Sequence, residues 1–147
     1  MKKRTTNTRT LIEIINEKDI KELLTVEPKK PVIDALTIMA KHKIGALIVM
    51  NGSKMVGVIS ERDIVRKVVA ESINSKSTQL EVIMSKNFKW VEPNASIESA
   101  VQKMLNNNIR RLVVLEDENL AGVITQTDLT EFLRSKILIN ATVENRE

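Results

Sequence analysis

Gly57-Val58-Ile59-Ser60-Glu61-Arg62-Asp63 is answered 65 residues later by Gly122-Val123-Ile124-Thr125-Gln126-Thr127-Asp128. Each segment reads as a glycine, two branched apolar residues, a hydroxyl residue and an aspartate three positions on. Working outward, the same offset carries Val26-Glu27-Pro28 onto Val91-Glu92-Pro93, Ala35 onto Ala100, Met39 onto Met104 and Ile44 onto Ile109. It also carries Leu47 onto Leu112 and Val49 onto Val114, with no gap between Val26 and Leu129. Upstream, Leu11-Ile12-Glu13-Ile14-Ile15 is similar to Leu80-Glu81-Val82-Ile83-Met84 once the first copy is given four extra residues. Self-similarity at a fixed period marks a duplicated structural unit.

Each copy spells the same elements. A short strand, 23–26 or 88–91, enters a proline-containing turn. Apolar residues then recur at helical spacing: Val32, Ala35, Leu36, Met39 and Ala40, and in the second copy Ile97, Ala100, Val101, Met104 and Leu105. Ser96 is the expected start of the second copy's helix. Two strands follow, 46–50 and 55–60 in the first copy, 111–115 and 120–125 in the second. Asn51-Gly52 is a tight-hairpin signal for the first pair, and an acidic turn at 116–119 joins the second. A closing helix starts near Glu61 or Gln126, the second one running to about residue 139. The order is β-α-β-β-α, twice.

The apolar runs Leu47-Ile48-Val49-Met50 and Leu112-Val113-Val114-Leu115 predict strands covered on both faces. A single unit of about 60 residues buries too little surface to be secure alone. The expected fold is therefore α/β, with two β-α-β-β-α repeats packed with pseudo-twofold symmetry. Along the chain this gives a basic flexible tail at 1–10, a first repeat at 11–70, a linker at 71–79, a second repeat at 80–139 and a C-terminal tail at 140–147.

Composition narrows the function classes. Aromatic residues make up 2% of the chain (Phe88, Trp90, Phe132), so Ile, Val, Leu and Met must fill the core. Met39, Met50, Met55, Met84 and Met104 fall on apolar faces and read as filler; Trp90 reads as a cover for the core at a strand edge. The chain has no cysteine, which excludes a disulfide framework, a thiolate metal site and a Cys nucleophile. His42 is the single histidine; near the end of a predicted helix it suits the dipole rather than catalysis, and no metal centre is expected.

The net charge of +4 is located in the tail, where Lys2, Lys3, Arg4 and Arg9 stand without an acid. Without those four, 19 of the 23 basic residues remain against 19 acidic ones. A neutral body with scarce aromatics does not track phosphate backbones. No run of 18 apolar residues spans a membrane. The apolar stretch Leu11 to Ile15 is too short for a signal peptide and carries Glu13. A cytoplasmic protein is expected.

A tandem β-α-β-β-α unit whose third strand ends in Gly-h-h-Ser/Thr-x-x-Asp resembles the cystathionine-β-synthase (CBS) domain pair, the Bateman module. Besides the two opening segments, Ile44-Gly45-Ala46-Leu47-Ile48-Val49 and Ile109-Arg110-Arg111-Leu112-Val113-Val114 carry the resemblance, which covers about residues 11–138. It implies a non-catalytic regulatory module. The ligands it implies are adenosine-containing: AMP, ADP or ATP first, with S-adenosylmethionine and NAD(H) in the same class. It also implies two clefts between the repeats, a separate effector protein and a homodimer formed through the helices.

The residues themselves admit two readings. Ser60 or Thr125 at the end of a strand can cap the following helix, with Asp63 or Asp128 completing a shortened capping box. The same hydroxyl and helix start suit a phosphate or ribose oxygen, and the carboxylate suits a ribose diol. The resemblance implies hybrid sites. One would join Thr125, Thr127 and Asp128 to Leu24, Ile44, Gly45 and Ala46. The other would join Ser60, Arg62 and Asp63 to Phe88, Lys89, Ile109 and Arg110. In related modules basic residues at the positions of Arg110 and Arg111 meet ligand phosphates, as an Arg fork can. Strand alternation turns one of the two outward, with Arg110 expected inward. Arg62 and Arg66 stand at i, i+4 for further phosphate contacts or for surface ion pairs.

Two other readings stay open: a structural dimerisation module without ligand, and a nucleic-acid-associated protein using the basic tail. An enzyme is not expected, because no Walker loop, nucleophile motif or acid/base pair is present.

Overall fold

The computed structural model describes residues 10–15 and 25–145, with side chains as far as residue 138. In chain order the elements are α1 (Leu11–Ile15), β1 (Thr25–Val26), α2 (Val32–His42), β2 (Ala46–Asn51), β3 (Lys54–Ser60) and α3. The last starts as Glu61–Asp63 and continues as a π-helical stretch, Ile64–Val69. Then come α4 (Leu80–Ile83), β4 (Trp90–Val91), α5 (Ile97–Asn107), β5 (Arg111–Glu116), β6 (Asn119–Thr125) and α6 (Gln126–Asn145). The β-α-β-β-α order stands twice, each time behind a short leading helix. Leu24, residue 23 of the expected first strand and tail residues 1–9 lie outside the described residues.

The chain forms two compact units that cut across the sequence copies. The first-repeat unit holds residues 25–88 with Glu118–Leu120, whose Asn119 pairs with Lys54. Its strands run β1-β2-β3, with β1 parallel to β2 (Val26 beside Val49) and β2 antiparallel to β3 (Ala46 beside Ser60). Helix α4, which follows the linker in sequence, belongs here. Ser85 just beyond it exchanges two backbone hydrogen bonds with Val58, each 2.9 Å. Leu80 and Ile83 are buried with Val32, Ala35, Leu47 and Ile59.

The second-repeat unit holds residues 10–15, Lys89–Asp117 and 121–145, with strands ordered β6-β5-β4. Its leading helix is α1, tied in by Leu11 N–H donating to the Ala95 carbonyl at 3.0 Å. Leu11, Ile14 and Ile15 are buried with Val91, Ile97, Leu112, Ile124 and Phe132. Leu11, Ile14, Ile15 and Leu80, Ile83, Met84 have the same spacing, so α1 and α4 offer the same apolar face.

Local chemistry sets the strand starts. Helices α2 and α5 end on left-handed residues 65 apart, Lys43 (φ 54°) and Asn108 (φ 52°). The next N–H groups, of Ile44 and Ile109, return to the carbonyls of Met39 and Met104 at 3.1 and 2.9 Å, closing the helix ends and aiming the chain into β2 and β5. The first hairpin is centred one residue later than Asn51-Gly52 suggests. Asn51 stays paired in β2 opposite Lys54, and the turn is Gly52-Ser53, with Gly52 supplying the positive φ of 66°. Leu112 to Leu115 are buried without a break, as expected. In β2 burial alternates instead, and Ile48 and Met50 stay half-buried. Among the described residues no helix is long and apolar enough to cross a membrane.

Candidate functional site

In each unit the end of the third strand and the first turn of the closing helix lie against the start of the second strand. In the second-repeat unit Gln126 N–H donates to the Arg110 carbonyl at 2.8 Å; in the first-repeat unit Glu61 N–H donates to Gly45 at 2.9 Å. The Ser/Thr-x-x-Asp segment is thus fixed beside Ile109-Arg110-Arg111 or Ile44-Gly45-Ala46 of its own repeat.

The capping reading of these segments is correct in both copies. Asp63 N–H donates to Ser60 Oγ at 3.2 Å, and Ser60 N–H donates to Asp63 Oδ2 at 3.0 Å, a reciprocal capping box. Ser60 Oγ also lies 3.0 Å from Asp63 Oδ2. In the second copy Asp128 N–H donates to Thr125 Oγ1 at 3.0 Å and Thr125 N–H to Asp128 Oδ2 at 2.8 Å. Among the described residues Asp63 is the one buried charged side chain, and Lys67 lies 3.3 Å from its Oδ1 while donating to the Ile83 carbonyl at 3.0 Å. The position equivalent to Lys67 is Phe132, so Asp128 has no lysine one turn on.

Ile109, Arg110, Arg111, Thr125, Gln126 and Thr127 line a hollow of about 670 Å³ at the N-terminus of the 20-residue helix α6. Both arginines are exposed, and both line the same hollow. Arg110 sits in a bend before β5 begins, where strand alternation does not yet apply, so neither arginine is singled out as the inward one. Among the described residues no acid lines this hollow. Its chemistry is two guanidinium forks, two hydroxyls, an amide and a helix start, which together suit an anion.

The remaining expected residues fall as follows. Ile44 and Ala46 are half-buried and Gly45 is exposed at the start of β2; Arg62 is exposed on α3. Phe88 is half-buried and Lys89 exposed in the extended run before β4, and neither lines the hollow. Gln126 and Glu61 were not singled out from the sequence, although the 65-residue offset sets one against the other. Among the described residues no group of three or more His, Asp or Glu is placed to hold a metal ion.

Comparison with known proteins gives the family. The chain matches the CBS domain over residues 17–70 and again over 80–135. It is 31% identical over 108 residues to the CBS domain-containing protein YhcV of Bacillus subtilis (strain 168), covering 74% of this chain and 76% of that one. Against two other curated relatives it spans only 50% and 58% of their length. The crystal structure of the CBS domain protein NE2398 superposes with a TM-score of 0.71 at 30% identity, covering 85% of this chain and 98% of that one. The CBS domain pair of MJ0100, solved with 5-methylthioadenosine and S-adenosyl-L-methionine, shares the fold with a TM-score of 0.65 at 23% identity, covering 88% and 98%. The chain belongs to the CBS-domain family and carries the CBS domain twice.

Proposed function

We propose that this chain is a non-catalytic regulatory module that binds a phosphorylated adenosine ligand, AMP, ADP or ATP, at the β5/α6 hollow and signals its presence to a separate partner protein. The observation that carries this reading is the hollow that Arg110 and Arg111 line together beside the start of α6. Its volume of about 670 Å³ lies within the range of small-molecule sites. The guanidinium forks fit phosphate oxygens, and the first turn of α6 adds the positive end of its dipole. Asp128 follows the lining residue Thr127 and accepts the Thr125 N–H at 2.8 Å; it stands at the edge of the hollow as the carboxylate for a ribose diol, and Ile109 supplies apolar surface for a base. S-adenosylmethionine and NAD(H) belong to the same ligand class, and the arginine pair favours the phosphorylated members.

Binding regulates by stabilising one packing of the molecule over another, and a partner reads the difference. A cytoplasmic homodimer is part of this proposal, with the exposed Leu105, Leu133 and Ile137 of α5 and α6 as its contact face. The second reading, a structural dimer module without ligand, is favoured by the way Ser60, Asp63 and Lys67 satisfy one another.

A thermal-shift panel of AMP, ADP, ATP, S-adenosylmethionine, NAD and NADH tests the choice on the wild type, Asp128→Ala and Arg110→Ala. Ligand at about 100 times its Kd adds about 2.7 kcal/mol of stability, a readily seen shift. The expected result is a shift with a phosphorylated member that shrinks in both variants. No shift with any of the six transfers the assignment to the structural module.

A further inference from the structure

We infer that the first residue of each closing helix sets whether its repeat admits phosphate: Gln126 admits it at the second repeat, and Glu61 refuses it at the first. The inference rests on the phosphate reading of the β5/α6 hollow and goes beyond it by assigning that ligand to one repeat and naming the residue that discriminates.

The two positions are geometric equivalents. Each donates its N–H to the residue before the second strand, Glu61 to Gly45 at 2.9 Å and Gln126 to Arg110 at 2.8 Å. What differs is side chains. Arg110, Arg111 and Gln126 at the second repeat become Gly45, Ala46 and Glu61 at the first. Glu61 fills the space that the exchange opens. Its carboxyl carbon lies 3.4 Å, and its two oxygens 3.6 Å, from where a Cβ on Gly45 would stand. A carboxylate therefore covers the place from which Arg110 extends in the other copy. A phosphate arriving there meets like charge where its counterpart meets two guanidinium forks. Of the nearby cations on α3, Lys67 is engaged by Asp63 and the Ile83 carbonyl, and Arg62 and Arg66 are exposed.

Space does not forbid the reverse exchange. Gly45 is not in the left-handed region, and its nearest neighbour is the flexible end of Glu61 at an ordinary contact distance. Glu61, Gln126 and Gly45 are all exposed, so substitutions there leave the cores intact.

Isothermal titration of the full chain with ATP, and with adenosine as the phosphate-free probe, tests the inference, with thermal melts as the control for folding. The wild type is expected to take one ATP per chain. Gln126→Glu weakens ATP binding about tenfold or more while adenosine binding changes by less than about twofold. The double variant Gly45→Arg/Glu61→Gln gains a second ATP. Three results would overturn the inference: two equal ATP sites in the wild type, loss of an ATP site in Arg62→Ala, or a double variant that takes no second ATP. Two equal sites would sink this inference alone. An absence of any heat with ATP or adenosine would remove the proposed function with it.

Discussion

At the scale of single residues, Gly57 and Gly122 hold equivalent places in the repeated segment and meet different neighbours. A Cβ at Gly57 would lie 2.7 Å from Met84 Sδ, 2.9 Å from its Cγ and 3.0 Å from the Ser85 carbonyl oxygen, whereas at Gly122 the nearest atom is Ile15 Cγ2 at 3.6 Å. The Met84 side chain can yield, but the Ser85 carbonyl is held by its bond from Val58 N–H. Gly57→Ala is expected to cost about 1–3 kcal/mol by overpacking, and Gly122→Ala to stay within about 0.5 kcal/mol. Urea denaturation of the two variants measures the difference, and equal costs would contradict the packing. The hydroxyl and the aspartate three residues on were legible as a capping box because that bond is local. Lys67 was not legible, because its second partner, the Ile83 carbonyl, is brought to it by the fold rather than by the sequence.

At the scale of elements, the leading helices show what a repeat in sequence does and does not determine. Their shared spacing made the likeness of α1 and α4 visible, yet each packs in the unit built mainly from the other copy. Sequence adjacency carries no such information when two helices offer the same apolar face to two similar cores. Leu11 and Leu80 are both fully buried, one in each unit. Leu11→Ala and Leu80→Ala are each expected to cost about 2–5 kcal/mol. The informative readout is amide hydrogen exchange. Leu11→Ala should speed exchange first in β5 and β6, and Leu80→Ala first in β2 and β3. The opposite pattern would contradict the assignment of helices to units. Strand covering was legible where the apolar run is complete, in Leu112 to Leu115. It misled in β2, where Ile48 and Met50 are apolar and still half-buried.

At the scale of the whole molecule, the near-duplicate halves carry different side chains at the strand start and the first residue of the closing helix, where Gly45, Ala46 and Glu61 stand against Arg110, Arg111 and Gln126. Composition made the neutral body and the basic tail legible, and the 65-residue offset made Arg110 and Arg111 stand out against Gly45 and Ala46. The hollow itself was not legible, since it depends on Arg110 in a bend and Arg111 at the start of β5 both lining it, and on the register that sets Gln126 beside them. Two exposed arginines at one hollow, with no acid lining it among the described residues, are the feature on which the functional reading turns. Titration of the wild type and of Arg110→Ala with ATP and with adenosine tests that reading most directly. The predicted result is ATP binding weakened about tenfold or more in the variant, with adenosine binding nearly unchanged. ATP affinity unaltered by the loss of Arg110 would contradict it.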